Sequence, residues 1–552
     1  MSLKPAPIGE IPKLTIRIAR ASFPKPSAAM ILRDKLGTLF TDQDFSILYA
    51  TRGQPAFSPW RLMLITVLQF MENLTDRQAA DAVRARIDWK YALGLELTDT
   101  GFDHTILSEF RSRLLQGQLE AFALNRLLEH CREQKLIRAG GKQRTDSTHV
   151  LGAVRELNRL ELLGETLRAV LNELAEHASD WLRQTVPLEW LERYAHRVEE
   201  YRLPHTRSKR DEYAQQVAED GLRLLQALEQ HPNASESAKL LNLPQVRILV
   251  DVWAQQCKQT RKGIRVKRLK ELAPGASRVQ SPYDPSVRHS IKRDTHWTGY
   301  KVHVTESCDD DLPNLVLDVL TTPASTADVS VTRTILQRLD ARDLPPGEFL
   351  VDQGFVDAKL LVESQARGMD LIAPVRAGAS WQDRMNDGQV LKTDAFEIHW
   401  DEQYVVCPQG KRSWQWHETS SANRETVAVA FNPKDCGLCP VKTQCTRAKR
   451  RTLTLLPQAI HEARVVARKL MNTDEFKQRY RLRAGIEGTL SQGTRAFGLR
   501  RVRYRDAGKA GFQHLMVATA MNVVRLVDWW AHDAPLKFSG RRSAFERLMQ
   551  AA

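Results

Sequence analysis

The chain has 552 residues, with 81 Lys and Arg against 66 Asp and Glu, a formal net charge of +15 and a pI near 9.5. That length exceeds one typical domain of about 100 to 200 residues, and the cationic excess favours a polyanionic partner, nucleic acid first. No apolar run approaches the roughly 18 residues of a membrane span, and the start "MSLKPAPIGEIPKL" has no apolar signal region, so no membrane partner is expected and the cytoplasm is the expected location.

Residues 1–30, with "KPAPIGEIP" and "FPKPS", have the proline content of a mobile arm. Residues 31–140 read as a helical N-terminal DNA-binding domain. In "SPWRLMLITVLQFMEN" Ser58 is placed to cap, Pro59 occupies the first turn, and the apolar spacing suits one buried face. A helix-turn-helix and a small helical bundle with basic outer faces both fit this region.

Residues 141–153 hold a first strand, "KQRTDSTHVLG". A helical insertion follows over 154–279, with Leu160, Leu163, Leu167, Val170 and Leu174 along one seam. It closes on "CKQTRKGIRVKRLK", either a solvated basic face or a phosphate-contacting strip. Residues 280–385 continue the first strand into an α/β core, in the order strand, strand, strand, helix, strand, helix, strand overall.

Residues 386–470 form a β-rich insertion carrying Cys407, Cys436, Cys439 and Cys445. Their C…CxxC…C pattern suits a structural Zn²⁺ site or ordinary reduced thiols in a compact module, since seven cysteines in so long a chain do not make a disulfide scaffold. Residues 471–530 return to the core and contain a helix with a carboxylate, and 531–552 are a C-terminal tail.

Three carboxylates stand out. Asp146 lies on the first strand between Thr145 and Ser147, and Asp352 ends "FLVD" before a Gln-Gly turn. Strand ends beside the crevice of an α/β sheet are where such folds place ligands, although a lone Asp there also serves as a turn or cap residue. Glu487 is different, because it sits among arginines in "FKQRYRLRAGIEGTLSQGTRAFGLRRVRYRDAGK" and shares a helix face with Tyr480 and Arg483, the alternative being a simple ion pair with Arg483 on a solvated helix. Gly485, Gly488 and Gly493 weaken this helix by about 1 kcal/mol each, which suggests a close approach to its backbone.

"TDSTHV", "DPSVRHSIKRDTHWTGYKVHV", "LVDQGF" and "YRLRAGIEGTLSQGTRAFGLRRVRY" together resemble the successive blocks of bacterial insertion-sequence DDE transposases. Tyr480, Arg483 and Glu487 match that family's Tyr-Arg-Glu signature. The family's lysine seven residues after the glutamate is Thr494 here, and Arg495 is the basic residue beside it.

The resemblance implies an RNase H-like mixed-sheet core, with Asp146, Asp352 and Glu487 as catalytic ligands of two Mg²⁺ ions for which Mn²⁺ can substitute. It implies DNA contacts by Tyr480, Arg483, Arg495, Arg500, Arg501, Arg503 and Arg505, with base stacking a further role for Tyr504, core packing being the alternative for both tyrosines. It also implies a homodimer or higher assembly on DNA that cuts element ends and joins them to a target. An RNase H-like nuclease or resolvase without strand transfer, and a catalytically silent DNA-binding regulator, are the alternatives.

Overall fold

The computed structural model describes residues 1–532 except 262, 293, 377–381, 383–389 and 422–423. The centre of the fold is a strand that reads as surface but is buried. β1 (Lys142–Leu151) contains Gln143, Arg144, Thr145, Asp146, Ser147 and Thr148, all buried. Buried polar groups need partners, so the rest of the chain must bring a partner to each position.

Within the insertion, β2 (Cys257–Thr260) and β3 (Gly263–Val266) form a separate hairpin. The main sheet adds β4 (Arg288–Lys292), β5 (Thr295–Ser307), β6 (Val316–Pro323), β7 (Glu348–Val351) and β8 (Asp370–Ile372). β5 runs antiparallel to β1 from Gln143↔Ser307 to Leu151↔Gly299. On the other side β7 is parallel to β1, with Thr145 opposite Val351, and β8 is parallel to β7. β4 and β6 both pair antiparallel with β5. An antiparallel meander joined to a parallel pair through the first strand is the mixed α/β arrangement of an RNase H-like core, as expected.

Helix Asp328–Asp340 connects β6 to β7, and Ala358–Ala366 connects β7 to β8. The long helix Ala507–His532 packs on β6 and on Pro59–Met71. One hydrophobic core therefore runs from the N-terminal helices into the sheet, with Leu64 and Phe70 in the same cluster as Val302 and Phe512. Pro59–Met71 is buried from Pro59 to Phe70 except at Arg61, which makes it an internal strut.

The proline-bearing start differs from the expected arm. Lys13–Ser22 is a helix with Thr15 and Ala19 buried, and Ile16 and Phe23 pack with Met30 and Tyr91. Its prolines flank the helix, Pro12 standing at the N-cap, so they set its start and do not interrupt it.

The helical insertion has its own core, in which Leu163, Leu167, Val170 and Leu174 meet Leu224, Leu249 and Trp253; Leu160 is only half-buried. The cysteine-bearing unit comprises β9 (Glu397–His399) paired with β10 (Tyr404–Val406), and β11 (Gln415–Ser421), β12 (Arg424–Ala430) and β13 (Thr452–Leu455) in a second small sheet. Val405, Val427, Val429, Phe431 and Leu455 form a third core there. Among the described residues, no helix is long and apolar enough to cross a membrane.

Candidate active site

Asp146 is buried on β1. Its Oδ1 accepts the Ser147 N–H at 2.7 Å and its Oδ2 accepts Arg483 Nη2 at 3.0 Å. Asp352 follows the last residue of β7, whose Val351 is opposite Thr145, and caps a short turn over Gln353–Phe355 by accepting the Gly354 N–H at 2.7 Å. Parallel pairing of β1 and β7 therefore puts Asp352 just past the end of the strand beside that of Asp146. Burial pushes the Asp146 carboxyl up, the negative charge of Asp352 adds to that, and the Ser147 amide and Arg483 offset it.

Glu487 lies in the first turn of Gly485–Phe497 with its side chain 71% exposed, and its Oε1 stands 3.8 Å from Arg483 Nη1. Arg483 thus reaches both Asp146 and Glu487, which are 341 positions apart in the chain on elements with no local connection. Tyr480 stacks on Phe476 with ring centroids 5.7 Å apart and packs beside Leu350 and Ile372. Burial pushes its phenol up, and the charges of Asp352 and Asp146 act in the same direction.

The donor chemistry fits a divalent hard cation. Two aspartates close enough for one charge to raise the other's proton affinity, with an exposed glutamate 3.8 Å from the guanidinium that bonds one of them, form an oxygen-only set that positive charge stabilises. Among the described residues no three His, Cys, Asp or Glu side chains converge tightly on one point. In this structure Arg483 joins Asp146 to Glu487, Asp352 is bonded to its own turn, and the three do not surround a common centre.

A buried ion network fixes that arrangement. Glu306 of β5 is fully buried and accepts from Arg144 Nε at 2.7 Å, from Arg525 Nη1 at 2.8 Å and from the Thr489 hydroxyl. Arg144 also donates to the Leu482 carbonyl at 2.6 Å, gripping the turn that carries Arg483. A Cβ on Gly485 would stand 2.0 Å from Arg144 Nη1, so the absence of a side chain there is what admits the guanidinium. Gly493 is likewise crowded by Leu499, whereas Gly488 faces open space.

Neither Arg144 nor Glu306 was singled out from sequence. Alternation along β1 puts Arg144 on the face of Asp146, a signal the spacing contains; the pairing with Glu306 across 162 residues leaves no local trace. Asp328 was missed as well, because an acidic residue opening a helix resembles an ordinary first-turn charge.

The basic run after the Glu487 helix extends the end of β1, where Leu151 N donates to the Arg500 carbonyl at 2.9 Å and Val502 N to the Leu151 carbonyl at 3.2 Å. Arg500 also donates to Thr148 Oγ1 at 2.8 Å. Arg495, Arg500, Arg501 and Arg505 are exposed. Arg503 is spent internally: it donates to the Leu74 carbonyl and Asn73 and lies 5.0 Å over the Phe70 ring, tying the run to the helical region. Of the two readings of Tyr504, base stacking and core packing, the structure shows the second, since its ring packs on the main core and is covered by Arg111 at 4.3 Å.

The four late cysteines are free and half-buried. Burial pushes the Cys445 thiol up, and the charges of Cys436, Cys439 and Cys407 act on it in the same direction, so the four occupy one neighbourhood without converging on a metal position.

Two matches to known families accompany this geometry. Residues 19–113 match a transposase domain (DUF772), and residues 406–527 match the transposase DDE domain. The second match includes Tyr480, Arg483, Glu487 and the four cysteines, while Asp146 and Asp352 lie outside both. No curated protein matches the chain.

Proposed function

The chain belongs to the DDE transposases of insertion sequences, and on that premise we propose that it acts in the cytoplasm, binding the ends of its element, cutting them by metal-dependent hydrolysis and joining the freed 3′-OH to target DNA. The observation that supports this most is the Arg483 guanidinium spanning Asp146 and Glu487 while the charge of Asp352 acts on Asp146.

Asp146, Asp352 and Glu487 are the residues that would hold two Mg²⁺ or Mn²⁺ ions, which when bound supply nucleophile activation and charge neutralisation on the attacking and leaving oxygens. Everything else falls to the chain. Arg483 bridges Asp146 and Glu487 in the absence of DNA and can turn its charge toward a phosphate. Arg495, Arg500, Arg501 and Arg505 line the approach and contact phosphates irrespective of sequence. Tyr480, packed beside Leu350 and Ile372 and within the electrostatic influence of both aspartates, orients the strand next to the cut.

Hydrolysis breaks the P–O3′ bond, water supplying the hydroxyl that remains on the phosphate. Attack by the resulting 3′-OH then exchanges one phosphodiester bond for another, so no external energy source is required. Joining two ends calls for a homodimer or higher assembly on DNA. A Zn²⁺ ion held by Cys407, Cys436, Cys439 and Cys445 would be structural and remote from this chemistry.

The test is strand cleavage of labelled DNA carrying the sequences that flank the gene, with Mg²⁺ or EDTA, comparing wild type with Glu487→Gln. Discrete cuts that need both Mg²⁺ and Glu487, followed by joined products, are expected. Cuts without joining would indicate a nuclease, and tight binding without any cut by folded, assembled wild type would indicate a DNA-binding regulator.

A further inference from the structure

Beneath the proposed carboxylate site lies a second polar layer that the activity described above does not use. Alternation along β1 turns Ser147 and His149 to the face opposite Asp146, and across the β1–β5 pairing they meet His303 and Lys301. Asp328, the first residue of helix Asp328–Asp340, closes this layer. Its Oδ1 accepts from Lys301 Nζ at 3.0 Å and from Ser147 Oγ at 3.1 Å. Lys301 is itself fixed by donating to the Thr326 carbonyl at 2.8 Å.

Two further observations give Asp328 a direction. The point where a Cβ on Gly354 would stand lies 2.9 Å from Asp352 Oδ1 and 3.4 Å from Asp328 Oδ2, so the two carboxylates flank the same glycine, which has no side chain to separate them. His303, wholly buried, has an Nδ1 without a hydrogen-bond partner, and that atom points at Asp328 Oδ1 from 3.6 Å. Its Nε2 is already engaged with Thr322 Oγ1 at 3.1 Å. Asp328 is therefore held on one oxygen by a hydroxyl and an ammonium, and approached by a histidine. The other oxygen is turned toward the turn that carries Asp352.

We infer that Asp328 is a positioning residue of the carboxylate site, holding the Ser147–Lys301 layer and the Asp352 turn in the arrangement that accepts a divalent cation. The inference rests on the assignment of Asp146, Asp352 and Glu487 as cation ligands. Groups that orient metal ligands from behind typically change metal affinity by about 10 to 100-fold when they are replaced. Asp328 is suited to that role because it contacts the strand of one ligand and faces the turn of another. Lys301 offsets its charge, so a fourth carboxylate can sit here without simply adding repulsion.

The test measures Mn²⁺ binding to the full-length chain without DNA, by calorimetry and by the electron paramagnetic resonance of free Mn²⁺, for wild type, Asp328→Asn, Asp328→Glu and Asp352→Asn. Circular dichroism and melting serve as folding controls. Asp328→Asn is expected to weaken Mn²⁺ binding by about 10 to 100-fold, Asp328→Glu to recover part of that loss, and Asp352→Asn to lose more. If Asp328→Asn binds Mn²⁺ like wild type while Asp352→Asn does not, this inference fails and the carboxylate site stands. If wild type binds no Mn²⁺, or Asp352→Asn binds like wild type, the ligand assignment fails and takes this inference with it. Should Asp328→Asn not fold, Ser147→Ala removes one donor to Asp328 and leaves its charge in place; weaker Mn²⁺ binding supports the inference and unchanged binding overturns it.

Discussion

The Glu487 helix and the cysteine-bearing unit are neighbours in the chain, both dense in chemically distinctive residues, yet the fold treats them differently. The helix is attached to the sheet by a fully buried carboxylate, Glu306, shared between Arg144 on β1, Arg525 on the C-terminal helix and Thr489 on the Glu487 helix itself. The cysteine unit has a core of its own, and its thiols are half-buried in one neighbourhood without convergence. Proximity in sequence does not make a site. What distinguishes the first region is that charges from distant parts of the chain are buried together, where each must be neutralised by another.

The sharpest way to break this contrast is to remove chemistry without removing the fold. Asp352→Asn keeps the turn, because an amide oxygen can still accept the Gly354 N–H, and is expected to bring DNA cleavage below detection while the melting transition persists. Cleavage near the wild-type rate would refute the site.

Glu306→Ala attacks the attachment itself. Leaving Arg144 and Arg525 buried without their shared partner should cost about 3 to 5 kcal/mol, seen as a lower denaturation midpoint together with lost cleavage. A midpoint close to wild type would mean that the network does not hold the helix in place.

A subtler effect concerns pH. Because burial raises Asp146 in the folded chain above its ordinary value, folding binds protons there, so its charged form works against stability once pH rises through and above the ordinary carboxylate range. Asp146→Asn in EDTA should therefore melt somewhat above wild type at neutral pH, and the gain should fade as the pH is lowered through that range. A destabilised variant at neutral pH would show that the bond to Arg483 outweighs the burial cost.

The basic run offers a finer comparison. Arg501→Ala with Arg505→Ala should reduce the slope of log affinity for DNA against log salt by about 0.9 for each lost phosphate contact, whereas Arg503→Ala should chiefly lower the melting midpoint, since Arg503 is bonded to Asn73 and Leu74. The smallest effect is expected in the cysteine unit. Cys436→Ser with Cys439→Ser should leave the main melting transition in place, because these residues share no core with the sheet, and metal analysis of both proteins would show whether zinc is lost with the thiols.

Much of this architecture is legible in the sequence, because strands and helices announce themselves by periodicity and capping: the alternation of meander and helices, the insertion seam from Leu163 to Leu174 and the helical stretch around Pro59 all correspond to observed elements. The blocks around Asp146, Asp352 and Glu487 were legible as candidates. The proline-bearing start was misread because prolines that flank a helix count the same in composition as prolines that prevent one. Arg503 was misread for a related reason, since an arginine bonded to a carbonyl and an arginine free for phosphate are identical as letters, and for Tyr504 the structure selects core packing over base stacking.

What the sequence by itself determined was the inventory: a basic chain, the order of its elements, three widely separated carboxylates and a glycine at position 485 where a side chain would collide with Arg144. What only the tertiary structure decided was which of these groups meet. Parallel pairing of β1 with β7 brought Asp352 just past the end of the strand beside that of Asp146, and the Glu306 network attached the turn carrying Arg483 beside them. The physical reason is that local propensity acts over a few residues, whereas a buried charge must be satisfied wherever the chain can reach it, and that demand selected partners between 162 and 338 positions away.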